Sequence, residues 1–192
     1  MISRNTAKIL LFLLKNRSEY GYNINQIAKI NNISVGSAFK ILKELEKDKK
    51  ATKNEISNAS YYKLNFNDTE TTKLCELLLF AEKRNLKGQA KIYADEVMKF
   101  EDAEMIIIFG SILRGKEFND VDILFITDQI KKVNNFCLEV SKIRTKPIVP
   151  FIMKREDLIK AVKERKEAIL NMMKDGIILK GESVFFEVIK NT

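Results

Sequence analysis

Apolar side chains recur every three or four positions through most of this chain, which is the spacing of amphipathic helices. In residues 35–48, Ala38, Ile41, Leu42 and Leu45 share one face, and Ser34 stands before them as a good N-cap. The same spacing predicts further helices at residues 6–15, 24–31, 68–84, 89–100, 130–143 and 155–174.

Two of these helices carry expectations about burial. In residues 24–31 the inward side chains are predicted to be Ile27, Ala28 and Ile30. In residues 68–84 we expect Asp68 to cap the helix, and we expect its buried side to consist of Leu74, Leu77, Leu78, Phe80 and Ala81. That apolar side suits either a linker helix or a dimerisation seam.

Shorter apolar runs bounded by turn residues predict the strands. Residues 51–65 read as two strands around Ser57-Asn58-Ala59, and residues 17–23 as a turn or short strand. Further strands are predicted at residues 105–109, 121–127 and 147–153, and the prolines of the last one favour a sheet edge or a bulge. Residues 176–181 are expected to turn back before a final segment at residues 184–189.

The amino-acid composition limits the location of the protein and the kind of metal site it could have. The 192 residues are 45% apolar and 31% charged, and no apolar run approaches the ~18–20 residues of a membrane span. The run Ile9–Leu14 lacks the cleavage site of a signal peptide, and Cys75 and Cys137 have no CxxC spacing, so we expect buried free thiols in a cytoplasmic protein. Because the chain has no histidine, a metal site would use oxygen ligands, which favours Mg²⁺ or Mn²⁺.

The positive charge is concentrated in the first third of the chain. Residues 1–66 hold 12 Lys and Arg against 5 Asp and Glu, whereas residues 67–192 hold 22 against 21. Such asymmetry predicts a polyanionic partner for the first third.

Three helices followed by a polar-tipped hairpin resemble the winged helix-turn-helix DNA-binding domains. The segment INQIAKINNISVGSAFKILKELEKDKKATK is similar to the helix-turn-helix phrase, with the small residue Ala28 in the second helix. The resemblance implies that the third helix enters the major groove of DNA. The implied base contacts are Ser34, Gly36, Ser37 and Lys40, and the implied phosphate contacts are Lys43, Lys47, Lys49, Lys50 and Lys53. The alternative is that these lysines form a solvated face and that the fold mediates protein contacts.

The stretch MIIIFGSILRGKEFNDVDILFIT, residues 105–127, carries the candidate chemistry. A strand runs into Gly110-Ser111, and Asp120 and Asp122 stand one residue apart at the start of the next strand. Alternate residues of a strand point the same way, so both carboxylates project from one face beside a turn that a phosphate can approach. This arrangement predicts a site for a divalent cation and a nucleoside triphosphate.

The same stretch resembles the minimal nucleotidyltransferases of the DNA polymerase beta superfamily. Their pattern is matched by Phe109, Gly110-Ser111, Arg114-Gly115 and Asp120-Val121-Asp122-Ile123, and the ending DGIILKGE resembles the tail of small prokaryotic members. The resemblance spans about residues 89–190. It implies that Gly110 and Ser111 bind the triphosphate, that Asp120 and Asp122 hold Mg²⁺ or Mn²⁺, and that Arg114 or Lys116 neutralises the leaving pyrophosphate.

Two departures from the family pattern concern turnover. The spacer of residues 112–119, eight residues, is shorter than is common in the family. The third carboxylate of active members is expected on the next strand, but residues 147–153 contain no acid. Asp128, Glu156 and Asp157 are predicted to lie at the far end of the strands.

The sequence thus predicts an α+β protein in which a winged helix-turn-helix, residues 1–66, precedes a linker helix, residues 67–88, and a mixed-sheet nucleotidyltransferase-like domain, residues 89–192. Three functions remain open. The chain could transfer a nucleotidyl group to a protein or nucleic-acid hydroxyl, and small relatives of this kind imply a helical, HEPN-type toxin partner. It could be an inactive, nucleotide-sensing transcriptional regulator on DNA. It could be an adaptor inside a larger nucleic-acid-processing complex, without catalysis or sequence-specific binding, as the apolar helix of residues 68–84 suggests. That helix could also form a homodimer.

Overall fold

The computed structural model describes residues 2–16, 18–115 and 117–190 and has an α+β fold. The chain divides into two compact units, residues 1–78 and 79–192, and the division falls within one helix. None of the helices in the described ranges is long and apolar enough to cross a membrane.

The first unit alternates helices with a small antiparallel sheet. Its elements are α1 (Arg4–Lys15), β1 (Tyr22–Asn23), α2 (Ile24–Asn31), α3 (Val35–Lys47), β2 (Ala51–Ile56), β3 (Ala59–Leu64) and the start of α4 (Thr69–Arg84). The sheet order is β1-β3-β2, and both pairings are antiparallel. The predicted hairpin is confirmed, and its turn residues Ser57 and Asn58 both have positive φ, as a two-residue type I′ turn requires.

Local capping explains where the helices of this unit begin. The Asn23 side chain accepts from the Gln26 N–H, and the Gln26 side chain accepts from the Asn23 N–H, which forms a capping box for α2. The predicted N-cap Ser34 is confirmed, because its hydroxyl accepts from the Ser37 N–H at 3.2 Å. All four residues of the predicted α3 stripe are buried, together with Leu10, Leu14, Ile27, Tyr62 and Leu64.

Two burial expectations are wrong. Ile30 points outward with 58% of its surface exposed, because α2 already ends at Asn31 and packs through Ile27 and Ala28. In α4 the cap Asp68 is confirmed, but Leu77 and Phe80 are exposed at 66% and 46%, and Ala81 is exposed too. The fully buried positions of α4 are Thr71, Cys75 and Leu79, which are spaced four apart on one narrow stripe.

The second unit is a four-stranded mixed sheet with helices on both faces. Its elements are α5 (Gly88–Val97), β4 (Met105–Phe109), a 3-10 helix (Ser111–Arg114), β5 (Val121–Ile126), α6 (Ile130–Ile143), β6 (Ile148–Met153), α7 (Arg155–Lys163), α8 (Glu167–Asp175), β7 (Ile177–Lys180) and α9 (Glu182–Lys190). The strand order is β6-β5-β4-β7. β4 pairs antiparallel with β5 and β7, and β5 pairs parallel with β6. As the prolines predict, β6 is an edge strand.

Alternation along β4 and β5 divides the core into two layers. Ile106, Ile108, Ile123 and Phe125 pack with buried residues of α5 and α6 on one face. The other face, which carries Ile107, contacts α8 and α9 through β4. The candidate carboxylates belong to this second face.

The end of the chain differs from expectation in two ways. The predicted helix at residues 155–174 is broken at residues 164–166, where Arg165 adopts a left-handed φ of 54° and the polar run KERKE offers no apolar side chain to bury. The segment expected only to turn back contains β7, which extends the sheet beside β4.

Candidate functional site

The predicted Gly-Ser turn and the second predicted aspartate lie against each other. Gly110 follows β4 with φ 86° and ψ −155°, a backbone conformation that is open almost only to glycine. Phe109 pairs with Asp122 across the antiparallel ladder, and a Cβ placed on Gly110 would stand 2.2 Å from Asp122 Oδ2. The Asp122 carboxylate therefore lies directly over Gly110 and fills the space that a side chain at this position would need.

Asp122 lies on β5, and Asp120 directly precedes the strand, close enough for its charge to act on Asp122. Val121 between them is fully buried, whereas Asp120 and Asp122 are partly exposed. Burial, and then the neighbouring charge of Asp120, raise the pKa of the Asp122 carboxyl above its usual value. Two carboxylates arranged in this way are stabilised in their charged forms by a cation between them.

The chain leaves Gly110 through a single turn of 3-10 helix. Its first residue is Ser111, its last is the exposed Arg114, and Gly115 ends it with a left-handed φ of 65°. Among the described residues Arg114 has no ion-pair partner, so its guanidinium is available to an anion. Lys116, the other predicted pyrophosphate contact, lies outside the described residues.

The parallel register of β5 and β6 identifies the side chain that lies beside Asp122 on the strand where the family resemblance implies a third carboxylate. Val149 is the partner of Asp122, and its side chain is 37% exposed. Within the described ranges no group of three or more His, Cys, Asp or Glu residues could hold a metal. Asp128 lies beyond Ile126, at the opposite end of β5, so the prediction that it lies far from the pair is confirmed.

A basic loop before β6 reaches the same end of the sheet, and sequence reasoning missed it. The Val121 N–H donates to Pro147 O at 2.9 Å, which places the loop of residues 144–147 beside Asp120. The Tyr93 hydroxyl holds this loop by donating to Lys146 O at 2.7 Å and accepting from the Lys146 N–H at 2.8 Å. These two hydrogen bonds fix the backbone of Lys146 in the loop that reaches the aspartate end of β5. The sequence signal was the run KIRTKP directly before an apolar strand.

The predicted DNA-contacting residues of the first unit fall on the outer side of α3. Gly36, Lys40, Lys43 and Lys47 are exposed, opposite the buried stripe. Ser34 is occupied as the helix cap, and the half-buried Ser37 lines a groove of about 450 Å³ between α3 and the start of α1.

The lysines of the first unit differ in whether they form an ion pair. Lys43 pairs with Glu46 at 3.5 Å, Lys53 with Glu55 at 2.7 Å, and the largely buried Lys50 with Glu70 at 3.0 Å. In the part of the chain that the structure describes, Lys40 and Lys47 form no ion pair. These two ammonium groups are the ones most open to a polyanion.

Comparison with known proteins returns no match, whether to a family, to a curated protein or to a solved structure.

Proposed function

We propose that the chain is a DNA-binding protein whose second unit binds a nucleoside triphosphate together with Mg²⁺ or Mn²⁺. In this proposal the first unit is a winged helix-turn-helix and the second is a nucleotidyltransferase-like domain. The close approach of Gly110 to Asp122 is the observation that carries the proposal, because it packs the Asp122 carboxylate against the glycine turn that leads into Ser111.

The donor set fits a hard divalent cation. Asp120 and Asp122 present carboxylate oxygens on one face, and these are the ligands that Mg²⁺ and Mn²⁺ prefer. Asp120 and Asp122 would hold the cation, which would supply positive charge to offset that of the phosphates. Gly110-Ser111 would let the phosphates approach the backbone, and the exposed Arg114 would supply further positive charge.

The DNA-binding part of the proposal is supported by element order and charge. The succession α1-β1-α2-α3-β2-β3, with an antiparallel sheet, resembles the order of elements in winged helix-turn-helix domains and supports the proposal. The excess of basic residues in this unit and the unpaired Lys40 and Lys47 on the outer side of α3 suit the phosphate backbone.

A bound nucleotide has two possible outputs, and one observation separates them. Transfer of the nucleotidyl group to a hydroxyl, on nucleic acid or on a protein such as the helical toxin-type partner, needs a base and a complete metal site. Val149 beside Asp122 supplies neither, which favours the second candidate, a regulator or assembly adaptor that binds the nucleotide without transferring it.

Binding at the aspartate pair is tested with labelled NTP and Mn²⁺. We expect saturable, Mn²⁺-dependent binding by the wild type and its loss in Asp120→Ala/Asp122→Ala. The matched control is Asp128→Ala, which removes an acid at the other end of β5 and should bind as the wild type does. Equal binding by all three proteins would refute the assignment, and transfer of label to added acceptors would separate the two outputs.

Binding of DNA is tested by its dependence on salt. The double variant Lys40→Glu/Lys47→Glu should bind duplex DNA more weakly and reduce the slope of log K against log salt by about two, since each phosphate contact contributes about 0.9. The control Lys131→Glu/Lys174→Glu makes the same charge change at exposed positions of the second unit. If both double variants weaken binding equally, net charge and not α3 determines the affinity.

A further inference from the structure

Two large apolar side chains on α3 are exposed among the lysines. Val35, at the first turn, is 51% exposed, and Phe39, one turn later, is 49% exposed. They stand at positions i and i+4, so they are neighbours on one side of the helix. Neither is needed for the core of the unit, which α3 joins through its own buried stripe.

Phe39 lies within the cationic surface and is not part of a separate apolar patch. The Lys43 ammonium is 6.0 Å from the centroid of the Phe39 ring, and the exposed Lys40 follows Phe39 directly. An apolar protein partner would have to desolvate the Lys43–Glu46 ion pair and the Lys40 ammonium, which has no ion-pair partner among the described residues, whereas a nucleic acid offers phosphates to these ammonium groups. Charge complementarity therefore favours DNA as the occupant of this surface.

Duplex DNA presents one apolar group in its major groove, the C5-methyl of thymine, and apolar side chains contact it. We propose that Phe39, with Val35 beside it, reads thymine methyl groups, so that the first unit prefers duplexes with thymines at the positions that α3 meets. The inference rests on the proposed DNA-binding function and adds base selectivity to the phosphate contacts of the lysines.

Replacement of thymine by uracil isolates this contact, because uracil keeps the hydrogen-bonding groups of thymine and lacks only the methyl. Duplexes retained by the full chain from a randomised library would be resynthesised with deoxyuridine in place of thymidine, and both forms titrated at fixed salt. We expect the wild type to bind the uracil form about fourfold more weakly for each methyl contacted, the effect of losing one buried carbon.

The variants assign the effect to a residue. Phe39→Ala should lose most of the difference in affinity between the thymine and uracil duplexes, with Val35 keeping the remainder, and Phe39→Leu, which keeps an apolar side chain, should retain more of it. Ile30→Ala is the matched control, since Ile30 is an exposed apolar residue of the preceding helix and should leave the full preference in place. Circular dichroism would verify that each variant is folded.

The outcomes distinguish this inference from the function on which it rests. Salt-dependent binding by the wild type with equal affinity for both duplexes would overturn thymine recognition and leave DNA binding intact. Loss of the preference in Ile30→Ala as much as in Phe39→Ala would overturn the assignment to α3. If the wild type retains no duplex even at low salt, the DNA-binding proposal fails and the inference fails with it.

Discussion

Replacement of Val149 by aspartate should make the second unit dependent on a divalent cation. Val149 is paired with Asp122 in the parallel ladder, and adjacent strands are about 4.8 Å apart, so the new carboxylate would stand next to the existing pair. Two charges about 5 Å apart repel by about 3 kcal/mol at an effective dielectric constant of 20 and by about 0.8 kcal/mol in water.

The partial exposure of Val149 places the cost between these limits. Without a cation we therefore expect Val149→Asp to lose about 1–3 kcal/mol of stability, which corresponds to a fall in Tm of several degrees for a domain of this size. Added Mn²⁺ should restore the loss, because binding to the folded state stabilises it by linkage. The same variant should bind Mn²⁺ more tightly than the wild type, since three carboxylates then surround the ion.

The assay is thermal unfolding with and without Mn²⁺, combined with calorimetric titration of the metal. Val149→Asn is the control, because it removes the same apolar side chain and adds no charge, so its Tm should not gain a response to Mn²⁺. If Mn²⁺ raises the Tm of Val149→Asp no more than that of Val149→Asn, the side chain at position 149 does not reach the ion and the reasoning from register is refuted.

Three further predictions concern a glycine, the cysteines and a helix cap. Gly110→Ala should lower the stability by about 1–3 kcal/mol through its backbone conformation, and it should weaken Mn²⁺ binding by displacing the Asp122 carboxylate above it. The control Gly115→Ala, whose Cβ would meet nothing within 4 Å, should lower the stability by about 1–2 kcal/mol and leave Mn²⁺ affinity unchanged. Equal Mn²⁺ affinities of the two variants would contradict the prediction. Burial raises the pKa of both Cys75 and Cys137 to about 12, so a thiol reagent at neutral pH should modify them only after denaturation, and rapid labelling of the native protein would count against this. Hydrogen bonds from the first turn of α4 lower the pKa of Asp68, so the Tm difference between wild type and Asp68→Ala should be full above about pH 5 and shrink toward about pH 3, as melting curves across that range would reveal.

The helices that could be predicted are those that bury one continuous stripe. In α3 the apolar spacing, the Ser34 cap and the polar outer face agree, and the structure follows them. Periodicity alone correctly predicted α6 at residues 130–143, but it failed at residues 155–174, where the helix breaks at Arg165 because the polar run around that residue offers nothing to bury. The exposure of Leu77 and Ile30 could not be predicted from periodicity either, because tertiary packing decides which of several apolar residues face the core.

One part of the candidate site could be predicted from residues close together in the sequence, and the other part depends on residues far apart in it. Gly110 and Asp122 could be predicted as neighbours, because a strand, a turn and a returning strand form a hairpin whose pairing follows from sequence order. The position of Val149 could not, because the register of a parallel pair is set only after a helix has crossed over. Lys146 depends on the same crossover, through the hydrogen bonds of its backbone with Tyr93.

Because the site draws on one hairpin and on a strand distant in sequence, its two parts can change separately during evolution. The proposed contacts for a nucleotide and a cation lie in one antiparallel hairpin, so they are inherited, copied or lost as one short stretch of sequence. The residue beside Asp122 that would complete them lies on an edge strand behind a separate helix and is half open to solvent, where substitution disturbs little packing. Under the proposed function, a single codon change at position 149 would alter turnover while the hairpin stays intact, and relatives of this chain would pass between enzyme and receptor without changing their fold.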